Sequence, residues 1–312
     1  MATLSSLAMV TSMVIYIVAL FAHAAEWAAA RGLEAPRRES ARVLVGAGGP
    51  ARAEPASPDG PAVARVDRFG RVGIALTVVG LACHLAGVVL RGLAAGRFPW
   101  GNMYEFVTAT LAFAALAYLA YALRTGARWL GLPMALLLSV GQGLAVTVFY
   151  VAVAPLVPAL HSVWFFIHIV AAAISGAAFN LGAIASVLYL LRGRAESRGK
   201  VTGYLARIPS ASALDKFAYK AHAFAFPLWT FTVAAGSVWA EYAWGRFWGW
   251  DPKETWSLVT WVVYAAYLHA RATAGWKGRR AAWLAVVGVL TFWFNFVGIN
   301  LLVTGLHSYA GI

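Results

Sequence analysis

Residues 72–90, 131–154 and 282–303 each run for about twenty positions without a single Asp, Glu, Lys or Arg. At 1.5 Å rise per residue, about 20 apolar residues cross the hydrocarbon core of a bilayer. Inside lipid every backbone N–H and C=O must be satisfied within the protein, so only helices or a closed barrel can span it. Unbroken apolar runs of this length select helices. Charge agrees: 12% of the 312 residues are charged and 61% are hydrophobic, with mean hydropathy +0.71. A soluble domain carries about 25% charge, so this chain has too few charges to coat a water-facing surface. The reading is an all-α, polytopic integral membrane helical bundle.

About eight transmembrane helices are expected, roughly at 3–29, 72–93, 103–123, 131–152, 163–191, 223–240, 256–271 and 282–303. MATLSSLAMV lacks the basic n-region and cleavage pattern of a secretory signal, so 1–30 reads as a retained first helix. The tract 31–71 is rich in Arg, Ala, Gly and Pro (Pro36, Pro50, Pro55, Pro58, Pro61) and has no apolar periodicity, which predicts a disordered loop. Residues 72–312 form the membrane domain proper, with no internal repeat and no second soluble domain. When Lys and Arg are sorted by alternating side, 21 of 25 fall on one face and Arg91, Arg97, Arg246 and Lys253 on the other. The positive-inside rule then puts the 31–71 tract in the cytoplasm and both termini on the outer side. The net charge of +13 thereby belongs to a rim facing anionic lipid, not to a nucleic-acid surface. One cysteine, Cys83, excludes an internal disulfide or a CxxC pair.

The stretch 248–261, WGWDPKETWSLVTW, lies on the outer side in this topology. Six of the fourteen tryptophans (Trp239, Trp244, Trp248, Trp250, Trp256 and Trp261) fall in the loop 239–261 and its shoulders. An interfacial aromatic belt would distribute them over both faces. Asp251 before Pro252, with Glu254 following, reads as a capped helix start. The same topology places His161, His168 and His307 near the outer face, His269, His23 and His222 near the inner face, and His84 midway. From Trp256 to His269 is about 20 Å along a helix, so histidine ligands would form two layers. Each imidazole also has an ordinary use, as an interhelical hydrogen bond, a solvated loop residue or an interfacial anchor. Two outer histidines from separate elements beside one Trp-rich loop suit a flat, hydrophobic, iron-containing ligand.

WAEYAWGRFWGWDPKETWSLVTW (239–261) resembles the WWD signature of the haem-handling proteins of cytochrome c maturation, and more closely the CcsA/ResC-type subunits of the system II haem lyase. GRFPWGNMYE (96–105), WFFIH (164–168) and GINLLVTGLHSYAG (298–311) resemble further elements of that family. The resemblance implies that His168 and His307 are the outer axial ligands of haem iron and His269 the inner, membrane-embedded histidine. It implies that Trp239, Trp244, Trp248, Trp250, Asp251 and Trp256 form the haem-binding WWD surface; the charged helix start itself, not the resemblance, offers Lys253 to a propionate. His84 remains a candidate second inner ligand and His161 an alternative outer one. It further implies transient binding of haem b, a CcsB/ResB-type membrane partner, and an apocytochrome c client whose CxxCH thiols receive the haem. On this reading the chain is one component of a holocytochrome c synthase in the bacterial cytoplasmic membrane and contributes no acid–base catalyst of its own. An exporter of an amphipathic solute, or a b-type haem subunit for electron transfer, are the alternatives.

Overall fold

The computed structural model describes residues 1–45 and 60–307, with side chains for 1–31 and 60–307. In these residues the chain forms ten α-helices: α1 (Ala2–Val45), α2 (Pro61–Ala95), α3 (Met103–Thr125), α4 (Gly131–Thr147), α5 (Val163–Ser197), α6 (Tyr204–Arg207), α7 (Ala211–Trp244), α8 (Pro252–Ala272), α9 (Arg279–Trp293) and α10 (Ile299–Leu302). A π turn, Phe294–Gly298, joins the last two. There is no strand among the described residues. Helix enters the expected 31–71 loop from both sides, since α1 continues to Val45 and α2 begins at Pro61. Proline suits the first helical position because its missing N–H would have no partner there. The rest of that loop, 46–59, and residues 308–312 lie outside the described residues.

Among the described residues seven segments are long and apolar enough to cross a membrane: Ala2–Arg31, Pro61–Ala95, Met103–Thr125, Arg128–Thr147, Val163–Ser197, Ala211–Trp244 and Arg279–Leu302. The expected span at 256–271 exists as α8, a 21-residue helix. It falls short of the other seven in apolarity because His269, Arg271 and a run of Trp, Tyr and Thr dilute its aliphatic residues.

Glycine sets the helix pairing. Along α2, Gly73, Gly80 and Gly87 recur every seven residues and face His23, Tyr16 and Met9 of α1, spaced the same way. A methyl group on these glycines would come within 2.6, 2.8 and 2.9 Å of those side chains. Small residues permit such close approach where lipid supplies no hydrophobic drive between helices. The antiparallel pair α5 and α7 uses the device reciprocally: His168 of α5 rests on Gly236 of α7, and His222 of α7 rests on Gly182 of α5. The two seats are about 21 Å apart along the helices.

Side-chain caps start α3, α5 and α7, with Asn102 accepting from Glu105 N at 3.0 Å, Ser162 from Trp164 N at 3.2 Å and Ser210 from Ala213 N at 3.3 Å. At the end of the bundle that carries the start of α3, Glu105 is buried and accepts from Arg91 Nε (2.8 Å), Arg97 Nη1 (2.8 Å) and Gly101 N (2.7 Å). Arg91 also donates to Val151 O at 2.8 Å. This network ties the α2–α3 loop to the segment after α4. The opposite end is held by Arg128–Asp67 (2.6 Å) and a two-armed Arg271–Asp215 pair (2.7 and 2.9 Å).

Candidate functional site

The Trp-rich loop is shaped by the start of α8. Asp251 accepts from Lys253 N at 3.1 Å, and Glu254 reaches back to Asp251 N at 3.1 Å, completing a capping box. Glu254 also accepts from Gly249 N (2.8 Å) and Arg246 Nη1 (3.0 Å). One carboxylate thus gathers 246–251 into a tight loop. Within it Trp250 has φ 58° and stands 67% exposed, the one non-glycine residue with positive φ among those described. Such a conformation costs about 1–2 kcal/mol for an L-residue and is held here by the hydrogen bonds on either side.

Asp251 does more than cap. Its Oδ2 accepts from Leu306 N at 2.9 Å and its Oδ1 from His307 Nδ1 at 2.8 Å. The close approach needs glycine at 305, where a Cβ would lie 2.7 Å from Oδ2. Burial alone would push the Asp251 carboxyl up. The His307 hydrogen bond, with the N–H groups of Leu306 and Lys253, outweighs it and holds the group at about 2. In this way the C-terminal segment docks on the Trp-rich loop.

A carboxylate only accepts, so His307 Nδ1 carries the hydrogen and Nε2 keeps its lone pair. The same logic applies to His168, whose Nδ1 lies 2.8 Å from Thr232 O on α7, since a carbonyl only accepts. Each imidazole therefore has one nitrogen anchored and the other open as a ligand, the orientation that metal-binding histidines use. Trp239 touches both rings, stacked on His168 at 5.7 Å between centroids and edge-on to His307 at 5.4 Å. Its own N–H donates to Ala159 O at 2.8 Å, which fixes the indole. Trp244 completes the cover of His307 at 4.7 Å.

Both histidines line a single open cavity enclosing about 1090 Å³ of empty space, mouth included. Its walls are mostly aromatic, with Trp100, Trp229, Trp239, Trp248 and Phe296 among them, and its charged lining residues are Lys253 and Glu254. Burial pushes the Lys253 ammonium down to about 7, with Asp251 pulling the other way.

Of the residues singled out in the sequence, His168, His307, Trp239 and Trp248 line the cavity, and Trp244 and Asp251 support His307. Trp256 packs on Phe294 at 4.3 Å, while Trp250 points outward at the loop tip. His161 is exposed and held near Leu156 O, 3.3 Å from Nε2. His269 is exposed on α8, a layer away from the cavity. His84 is buried, with Nδ1 3.3 Å from Tyr16 OH. Several contributors had no sequence signal: Thr232 and Gly236, which seat His168, and Asn295, buried in the π turn with its side-chain oxygen unpartnered. A π turn in a terminal helix is a recurrent mark of functional positions.

A multi-pass helical bundle with two anchored imidazoles in one tryptophan-walled cavity defines a class: a polytopic membrane protein with an aromatic, histidine-bearing cleft at one end. The profile of the family described as "Cytochrome C assembly protein" matches residues 72–307. The chain belongs to that family, and within it to the CcsA type of cytochrome c biogenesis protein. It is 37% identical over 252 residues to "Cytochrome c biogenesis protein CcsA" of Guillardia theta, covering 73% of this chain and 83% of that one. It is 32% identical over 306 residues to the protein of the same description from Picosynechococcus, covering 80% and 90%. Among solved structures, "Cytochrome c Heme Lyase CcmF" shares the fold with TM-score 0.53 and 18% identity. That match takes in 96% of this chain, which spans about half (49%) of the longer protein.

Proposed function

We propose that the cavity holds haem b as transient cargo, with His168 and His307 as its axial imidazoles, and presents it at the Trp-rich loop to apocytochrome c. The observation that carries this reading is the pair of anchored histidines: each has Nδ1 committed to a fixed acceptor, so each offers Nε2 to iron without a change of tautomer. The aromatic walls supply flat apolar contact for a macrocycle. The residues of this chain orient the ligand, exclude water from one side and leave an edge open. Thioether attachment to the CxxCH thiols is then a matter of positioning by the complex. Here the Trp-rich loop and both termini face the extracytoplasmic side of a bacterial cytoplasmic membrane. His269, exposed on α8, belongs to an inner delivery layer shared with a CcsB/ResB-type subunit.

The test is spectral. The chain is co-expressed with its partner in a haem-replete host and purified as wild type and as His168→Ala, His307→Ala and His269→Ala. Wild type should carry a bis-imidazole haem spectrum. Either outer variant should lose it and recover it with millimolar imidazole, whereas His269→Ala should be depleted of haem without such rescue. Wild-type complex free of haem absorbance, or outer variants with an unchanged spectrum, would overturn the reading.

A further inference from the structure

The cavity has two formally charged lining residues, and only one has its charge answered. Glu254 is engaged by Arg246, Gly249 N and Asp251 N. Lys253 makes no side-chain hydrogen bond or ion pair among the described residues; its Nζ stands 5.6 Å over the Phe296 ring. Asp251 attracts it, but both Asp251 oxygens are already taken, by His307, Leu306 N and the backbone N–H of Lys253 itself. Lys253 lines the same cavity as His168 and His307. The cavity thus presents one unanswered ammonium beside its imidazoles. Withdrawing an ammonium from water is costly unless an anion answers it.

We infer that Lys253 is the recognition cation of the cavity: it takes a carboxylate of the bound ligand, so the chain selects a metal macrocycle with a free acid on its rim over one whose acids are masked. This rests on the haem reading above and adds a specificity residue to it. A single ammonium answers a single carboxylate, and the open mouth leaves a second acid to solvent. Lysine suits this task as a compact point charge on a flexible stem.

Ferric protoporphyrin IX and its dimethyl ester, which differ in the rim acids alone, separate the possibilities. Each is titrated into the full-length chain in detergent and followed by Soret absorbance, for wild type, Lys253→Met and Lys253→Arg. Detergent partition is common to all three proteins, so the readout is how the acid-to-ester affinity ratio changes between them. A charge-assisted contact predicts a ratio lower by about tenfold or more in Lys253→Met. The ester affinity should not fall and should rise if anything, since Lys253→Met removes an ammonium that the ester cannot answer; retained ester binding also shows that the variant folds. Lys253→Arg should keep the ratio within about threefold of wild type. A ratio that is the same in wild type and Lys253→Met overturns the inference and leaves the haem reading standing. Failure of wild type to bind either compound overturns both.

Discussion

Gly236→Ala places one methyl group where the structure has room for none. A Cβ there would lie 2.7 Å from His168 Nδ1 and 2.8 Å from Cε1. Ordinary contact needs about 3.5 Å, so the ring must retreat by about 0.8 Å. It is not free to do so, because Nδ1 is tethered to Thr232 O at 2.8 Å. Retreat stretches that bond toward about 3.5 Å, where it no longer counts as a hydrogen bond. The loss is about 1 kcal/mol for the bond and about 1–3 kcal/mol for overpacking. Against it stands a gain of about 1 kcal/mol from replacing glycine by alanine within a helix. The net is a destabilisation of about 1–3 kcal/mol. Ligation suffers more, since metal–ligand distances tolerate only about 0.2 Å and Nε2 moves with the ring. The assay pairs an unfolding titration in mixed micelles with a ferric protoporphyrin titration. Gly236→Ala should unfold earlier and bind at least about tenfold more weakly. Gly143→Ala on α4, where a Cβ meets nothing within 4 Å, is the control and should be neutral or stabilising. A Gly236→Ala protein as stable as wild type with an unchanged spectrum would refute the claim that this glycine seats the ligand histidine.

Two further outcomes follow from the ion pairs. Asp251 is held at about 2 against an ordinary 3.8. A lowered folded value means that its stabilisation, about 2 kcal/mol, is complete above about pH 4 and is lost as pH falls through about 2. Hydrogen exchange at Leu306, corrected for intrinsic rate, should be flat from about pH 7 to 4.5 and accelerate below that; Asp251→Asn should remove the pH step and leave Leu306 less protected throughout. Glu105→Gln strands Arg91 and Arg97 in a buried position and should cost about 3–5 kcal/mol, read as a lowered unfolding midpoint. The charge-removing triple replacement Arg91→Met, Arg97→Met and Glu105→Met should recover most of that loss.

Much of the architecture was legible in the linear chain because a bilayer reduces folding to one question per segment, whether about twenty residues are apolar enough to span. That question found every long helix. It was less sharp at α8, whose aromatic and hydroxyl side chains lower its apolarity while its packing between neighbours keeps it a helix. It also missed the reach of α1 to Val45 and of α2 back to Pro61, since helix continuing past an apolar run has no hydropathy signature. The capping box at Asp251 and Glu254 was readable because capping is a matter of residue type at fixed local spacing. The role of Asp251 as anchor of His307 was not, because its partner lies 56 residues away.

The division has one physical cause. Periodicity, charge bias and caps are short-range properties, so the sequence by itself determined a helical membrane bundle, a Trp-rich loop with a capped helix behind it, and two histidines in distinctive motifs. Which nitrogen of each imidazole is open, and which glycine makes room for it, depends on contacts between helices far apart in the chain. Only the tertiary structure decided that His168 is oriented by Thr232 and seated on Gly236, that His307 is oriented by the residue that caps α8, and that Lys253 stands in the same cavity with its charge unanswered.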